Sequence, residues 1–381
     1  TQLFVGIGAE ALPVAEEVAL KLGRVRQWLQ RSGYQAVLLT MQANVAWVTG
    51  GIDDIIARNE EPGQVWAMVD PERALLLTTN VEEPRLLAEL DLERAGFELK
   101  VAPWYRPGGL GSLAEELAGG RAVANDGNGP GSALGDQLAT LRVPLTVQEH
   151  ARLAELGADC ARALEGVMRD WTPEQSEVQV AGRIAAALEE LRILPSVLLV
   201  GGAERRRAFR HPVPTSSATG QDVLAVIVGV RGGLNVACSR SASAGHPAAD
   251  LKARHFAACL VEARMIAATR PGVSWQSALA AGQEAYSEAG YPGEWKAHWQ
   301  GGPIGYYSRE YDVVPGTETA ARPVLAGSAF AWNPSVQGAK SEDTFIVGPE
   351  RAVPVSNTSD WPSLFIETPE GEIARPAVLA V

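Results

Sequence analysis

The sequence predicts an α+β protein in two parts: a smaller α/β domain over residues 1–143, then a larger domain over 144–381 with an antiparallel sheet covered by helices. Three observations lead there. The 381 residues exceed what one hydrophobic core ordinarily serves. After Leu141-Arg142-Val143-Pro144 the interleaved short strands and helices give way to a long helical stretch from about 147 to 169. Beyond it, helices followed by strands occur twice, an order that suits an antiparallel sheet with helices on one face.

Val18, Leu20, Leu22, Val25 and Leu29 fall near helical spacing over 16–34, and Gly33 stands where that helix should stop. Residues 36–40, 65–69 and 74–77 read as strands, with helices near 81–90 and 112–118 between and after them. Gly108-Gly109-Leu110-Gly111 lacks the lysine and the spacing of a phosphate loop, so it is expected to be a surface loop. In the second part, Thr172-Pro173-Glu174-Gln175 predicts the capped start of a helix that continues over 178–191. Residues 223–230 and 234–238, joined through Arg231-Gly232-Gly233, predict a tight hairpin. Helices over 249–268 and 274–288 follow, then strands over 329–333 and 342–347.

A hydrophobic share of 46% with 20% charged residues is that of an ordinary globular chain. The net charge of −12 opposes attraction to phosphate backbones, so nucleic acid is not an expected partner. The run Arg205-Arg206-Arg207 is expected to be a solvated loop. Cys160, Cys238 and Cys259 have no CxxC spacing, so neither a disulfide framework nor a thiolate metal site is expected, and a reducing cytoplasm fits. No apolar run reaches membrane-spanning length and no basic-then-apolar leader opens the sequence, so no membrane association is expected.

Four motifs resemble the creatinase/prolidase/aminopeptidase P superfamily. Gly233, Ser239 and Arg240 match a glycine, threonine and arginine of its hairpin motif. Gly301-Gly302-Pro303-Ile304-Gly305 running on to Arg309-Glu310 matches its Gly-His-Gly-Ile-Gly segment ending in His-Glu. Phe330-Ala331-Trp332-Asn333-Pro334 matches its Glu-Pro segment, and Glu342-Asp343-Thr344 its last motif. The resemblance implies a pita-bread C-terminal domain behind a creatinase-like N-terminal domain, and a homodimer. In that superfamily two aspartates, a histidine and two glutamates hold two metal ions, which can both activate water and polarise a carbonyl. The corresponding positions here are Val226, Ala237, Gly302, Asn333 and Glu342. Four of the five side chains cannot ligate as the family's do, so neither metal nor other cofactor is expected.

The resemblance also implies a cleft histidine at His211 and another at His298, with His150, His246 and His255 read as surface or helix residues. Imidazole exchanges protons near neutral pH, which makes His211 the leading catalytic candidate, with Glu342 and Glu310 expected close to each other beside it. Arg309, Arg240, Tyr306, Asn333, Lys340 and His298 are the expected substrate-binding groups. The ligand is expected to be a small molecule or short peptide. Three functions stay open at this point: a metal-independent hydrolase of a C–N bond, an inactive ligand-binding relative, or an Xaa-Pro peptidase with an atypical site.

Overall fold

Gly33 adopts φ 80° directly after the first helix, α1 (Val14–Ser32), a conformation open to glycine because it lacks Cβ. The computed structural model describes residues 14–52, 54–58, 60–89 and 95–381. After α1 come β1 (Ala36–Leu39), α2 (Gln42–Thr49), β2 (Trp66–Val69), β3 (Ala74–Thr79), α3 (Glu83–Glu89), β4 (Glu98–Ala102), α4 (Gly109–Ala118), β5 (Val123–Asn125), β6 (Ser132–Ala133) and α5 (Ala139–Arg142). They form a mixed sheet in the order β4-β3-β2-β1-β5-β6. Two details differ from the sequence-based expectation. Helix α2 was not anticipated: Ala43 to Thr49 are all buried, so there is no polar face to give a periodic signal. Gly108 takes φ 77° as the cap of α4, which turns the expected glycine loop into a helix start.

The second part opens with α6 (Val147–Arg169), where Thr146 and Glu149 form a capping box. Helix α7 (Glu177–Glu189) begins at Ser176, not at Thr172. The Ser176–Gln179 pair repeats the same signature four residues later and makes the reciprocal cap, while the Thr172 N–H donates to Gln175 Oε1 in the turn before it. Next come β7 (Leu194–Gly202), α8 (Ala203–Ala208), β8 (Asp222–Arg231), β9 (Leu234–Ser243), α9 (Ala249–Ala268), α10 (Trp275–Glu288), β10 (Gly301–Ile304), β11 (Ala329–Trp332), β12 (Ser335–Val336), β13 (Ala339–Lys340) and β14 (Asp343–Val347). The antiparallel order is β10-β11-β14-β9-β8-β7. Gly232 and Gly233, at φ 55° and 78°, make the two-residue turn between β8 and β9, where both positions require positive φ.

The register of this hairpin decides what faces the cleft. Val226 pairs with Ser239, Leu224 with Ser241 and Val228 with Ala237, whereas Ala225 pairs with Arg240. Because successive side chains alternate between faces, Val226 and Ser239 share one face and Arg240 lies on the other, against Glu165 of α6. The three cysteines are buried and free. Among the described residues, no helix is long and apolar enough to cross a membrane.

Candidate functional site

His211 follows β7 and α8. At Gly201 an added Cβ would come within 2.5 Å of Pro212 Cγ, so a bare glycine lets the Arg210-His211-Pro212 segment lie on the strand end. Arg210 anchors it further through Nη1 to the Ser335 Oγ and carbonyl oxygen, at 3.1 and 3.2 Å, and through an ion pair with Glu294. His298 arrives from the segment before β10, where Gln300 Nε2 donates to its carbonyl at 2.8 Å. The two imidazoles meet Nε2 to Nε2 at 3.0 Å, with ring planes at 63°. His298 is buried and His211 is exposed at the rim. Burial, with Lys340 and His211 adding to it, drives the His298 pKa down to about 2; burial, Lys340 and Arg309 lower that of His211. Two neutral rings then share one Nε2 proton, whereas two imidazolium ions would repel.

Beside them lie Lys340, Glu342 and Asn333, all buried. Lys340 Nζ stands 3.5 Å from Glu342 Oε2. Burial raises the Glu342 pKa, only partly opposed by Lys340 and the Asn333 amide. Alternation accounts for the placement: Trp332 and Asp343 pair across the ladder and point to the helix side, where Trp332 Nε1 bonds Thr269 and Asp343 bonds Arg240 and Arg375. Their sequence neighbours Asn333 and Glu342 face the cleft.

Three expected site residues are engaged elsewhere. Arg240 is wholly buried among Glu165, Asp343 and the Ser356 carbonyl, on the face opposite Ser239. Tyr306 turns into the joint between the two parts, its hydroxyl 2.7 Å from Glu149 Oε1 and 3.2 Å from Lys21 Nζ. Glu310 is engaged with Arg142 and its own loop: its Oε2 accepts from Arg142 Nη2 at 2.6 Å and its Oε1 from the Tyr306 and Tyr307 N–H groups. A carboxylate so bound closes the 305–310 loop. Arg309 reaches the rim, 5.6 Å over the Trp299 ring and paired with Asp312. His150 and His255 are buried, each with Nε2 2.7 Å from a carbonyl, those of Gly327 and Pro376.

Two residues were not on the expected list. Arg142 binds both Asn44 and Glu310, a pairing across 168 positions that no local pattern announces. Ser239, buried on the cleft face, has an Oγ without a hydrogen-bond partner among the described residues; its alternation with Arg240 was the available signal.

The donor set does not fit a pair of metal ions. Val226 and Ala237 carry no ligand atom, and Asn333 offers only an amide. At Gly302 a Cβ would meet Val313 Cγ2 at 3.0 Å and the Tyr311 carbonyl at 3.1 Å, so the backbone there is packed for glycine. Among the described residues no group of three or more His, Cys, Asp or Glu is arranged to hold a metal ion.

Residues 151–349 match the model of metallopeptidase family M24. Of solved structures, dipeptidase PepE from Mycobacterium ulcerans is similar at 20% identity and TM-score 0.74, over 96% of this chain and 98% of that one. The prolidase from Pyrococcus horikoshii OT3 is similar at 16% identity and TM-score 0.74, over 89% and 99%. The N-terminal domain of FACT complex subunit SPT16 from Cicer arietinum (chickpea) is similar at 11% identity and TM-score 0.67, over 90% and 95%. Comparison with curated protein sequences returns no match. The chain belongs to metallopeptidase family M24, with the pita-bread architecture its sequence motifs implied.

Proposed function

We propose that this member of the M24 family is a metal-independent hydrolase that cleaves a C–N bond in a small substrate. The observation that carries this reading is the buried Lys340–Glu342 pair beside the neutral His211–His298 pair, with the pKa of Glu342 raised by burial. A carboxylate with a raised pKa is a competent proton acceptor, and an ammonium group supplies positive charge where a carbonyl oxygen becomes negative. In the proposed reaction, water oxygen bonds to the carbonyl carbon as Glu342 takes one water proton. The C=O electron pair moves onto oxygen beside Lys340. Collapse of the adduct restores C=O and breaks C–N, and the proton passes from Glu342, through His211, to the leaving nitrogen.

The test is hydrolysis of N-acyl and N-carbamoyl amino acids, creatine-like amidino compounds and Xaa-Pro peptides in the presence of chelator. His211→Ala should reduce turnover by about 10²–10⁴-fold, the usual contribution of general acid–base catalysis. Unchanged turnover in that variant rejects the role of His211. Activity on Xaa-Pro dipeptides that chelator abolishes, with two equivalents of metal per chain, rejects the whole reading. A second reading, ligand binding without turnover, is favoured by the engagement of Glu310 with Arg142, which occupies one of the two expected carboxylates; tight binding without hydrolysis would select it.

A further inference from the structure

Cleft polar atoms that the protein leaves without partners define the group the site accepts. Glu342 Oε2, Asn333 Oδ1 and Ser239 Oγ are buried and have no hydrogen-bond partner among the described residues, and their residues are all at least nine-tenths buried. They are neighbours: the Ser239 N–H donates to the Glu342 carbonyl at 2.9 Å, and the Asn333 amide stabilises the ionised Glu342 side chain. The amide oxygen of Asn333 is the atom left over, buried without a partner among the described residues. Two acceptor oxygens and a hydroxyl therefore look for N–H donors. Lys340 brings the complementary need. Its ammonium has three N–H groups and stands 3.5 Å from Glu342, at the outer edge of hydrogen-bond range.

From this we infer that the cleft recognises a neutral, planar group carrying an N–H₂ donor next to a carbonyl acceptor: a ureido (N-carbamoyl) or primary carboxamide group, with C=O on Lys340 and NH₂ on Asn333 Oδ1 and Glu342 Oε2. The inference rests on the metal-free reading of the cleft and adds the substrate class to it. A guanidinium or ammonium fits less well, because Lys340 already neutralises Glu342 and a second buried cation would have no countercharge. An Xaa-Pro bond fits less well too, since its nitrogen carries no hydrogen and would leave the buried acceptors unsatisfied.

The discriminating pair is N-carbamoylalanine and N-acetylalanine, which differ by NH₂ against CH₃ at nearly constant shape, with creatine and Ala-Pro as further probes. In calorimetric titration of the full chain with chelator present, N-carbamoylalanine should bind about 10–100-fold more tightly than N-acetylalanine, and more tightly than creatine or Ala-Pro. Asn333→Leu should collapse that ratio toward one. Equal binding of the two isosteres by the unmodified protein, or binding of neither at millimolar concentration, overturns the inference, and this comparison needs no variant to fold. Hydrolysis is scored separately on the same compounds. Carbamoyl preference without turnover removes the hydrolase reading and keeps this one; turnover of Ala-Pro in chelator without carbamoyl preference does the reverse.

Discussion

Two buried carboxylates in this molecule show opposite behaviour. Glu17 lies at the joint between α1 and α6, fully buried, with Lys21 Nζ at 2.6 Å and Arg152 Nη1 and Nη2 each at 2.7 Å. Burial pushes its pKa up, but the Arg152 and Lys21 contacts outweigh it and hold the carboxyl below its ordinary value. Glu342 in the cleft is almost as buried, yet it has one cation at 3.5 Å and an amide, so burial wins and the pKa rises. Burial raises the pKa at both; hydrogen-bonded countercharge, close at Glu17 and distant at Glu342, offsets it only at the first. Between α1 and α6 the Glu17 carboxylate accepts three charged hydrogen bonds, whereas in the cleft Glu342 Oε2 accepts none among the described residues. Burial of charge alone therefore does not mark a functional site.

Removing cations on either side sharpens this contrast. Arg142→Met would leave Glu310, now bonded at 2.6 Å, as an uncompensated buried charge, and should cost about 3–5 kcal/mol of unfolding free energy in denaturant titration. Lys340→Met should cost less, about 1–3 kcal/mol, because Glu342 already has a raised pKa and can take up a proton. If the two variants lose the same stability, the cleft pair is a structural ion cluster and the distinction drawn here fails.

Acid should expose the histidine pair. An unfolded histidine titrates near 6.5, whereas folded His298 stays neutral down to about 2. Below pH 6.5 the unfolded chain thus binds the extra proton, and stability falls as pH falls. By pH 4.5 the loss attributable to His298 is about 2–3 kcal/mol. His298→Asn should flatten that part of the stability–pH curve by the same amount, and an unchanged slope would show that the ring is not held neutral.

The smallest expected effect on stability belongs to His211→Ala. The ring is exposed but partners the buried His298 Nε2, so unfolding free energy should move by about 1 kcal/mol even as turnover drops. A loss of several kcal/mol would make His211 part of the framework and not of the chemistry.

Much of this protein was legible from sequence. Gly232-Gly233 between two apolar runs predicted the hairpin, because turn geometry is local. The absence of ligand atoms at Val226, Ala237 and Gly302 was likewise a matter of residue chemistry alone. Helix α2 escaped because a helix buried on every side has no polar face to give it periodicity. Site membership escaped in part for a different reason. Arg240 and Ser239 are adjacent in sequence, yet the pleat sends one to the ion cluster under α6 and the other to the cleft. Glu310 and Glu342, alike as retained acidic residues, part company because Arg142 arrives from 168 positions away to bind the first. Sequence alone determined the architecture and the chemistry that the cleft lacks, since both follow from local residue identity. Tertiary structure alone decided which charges are satisfied, because partnership of buried groups depends on distances that only the folded chain sets.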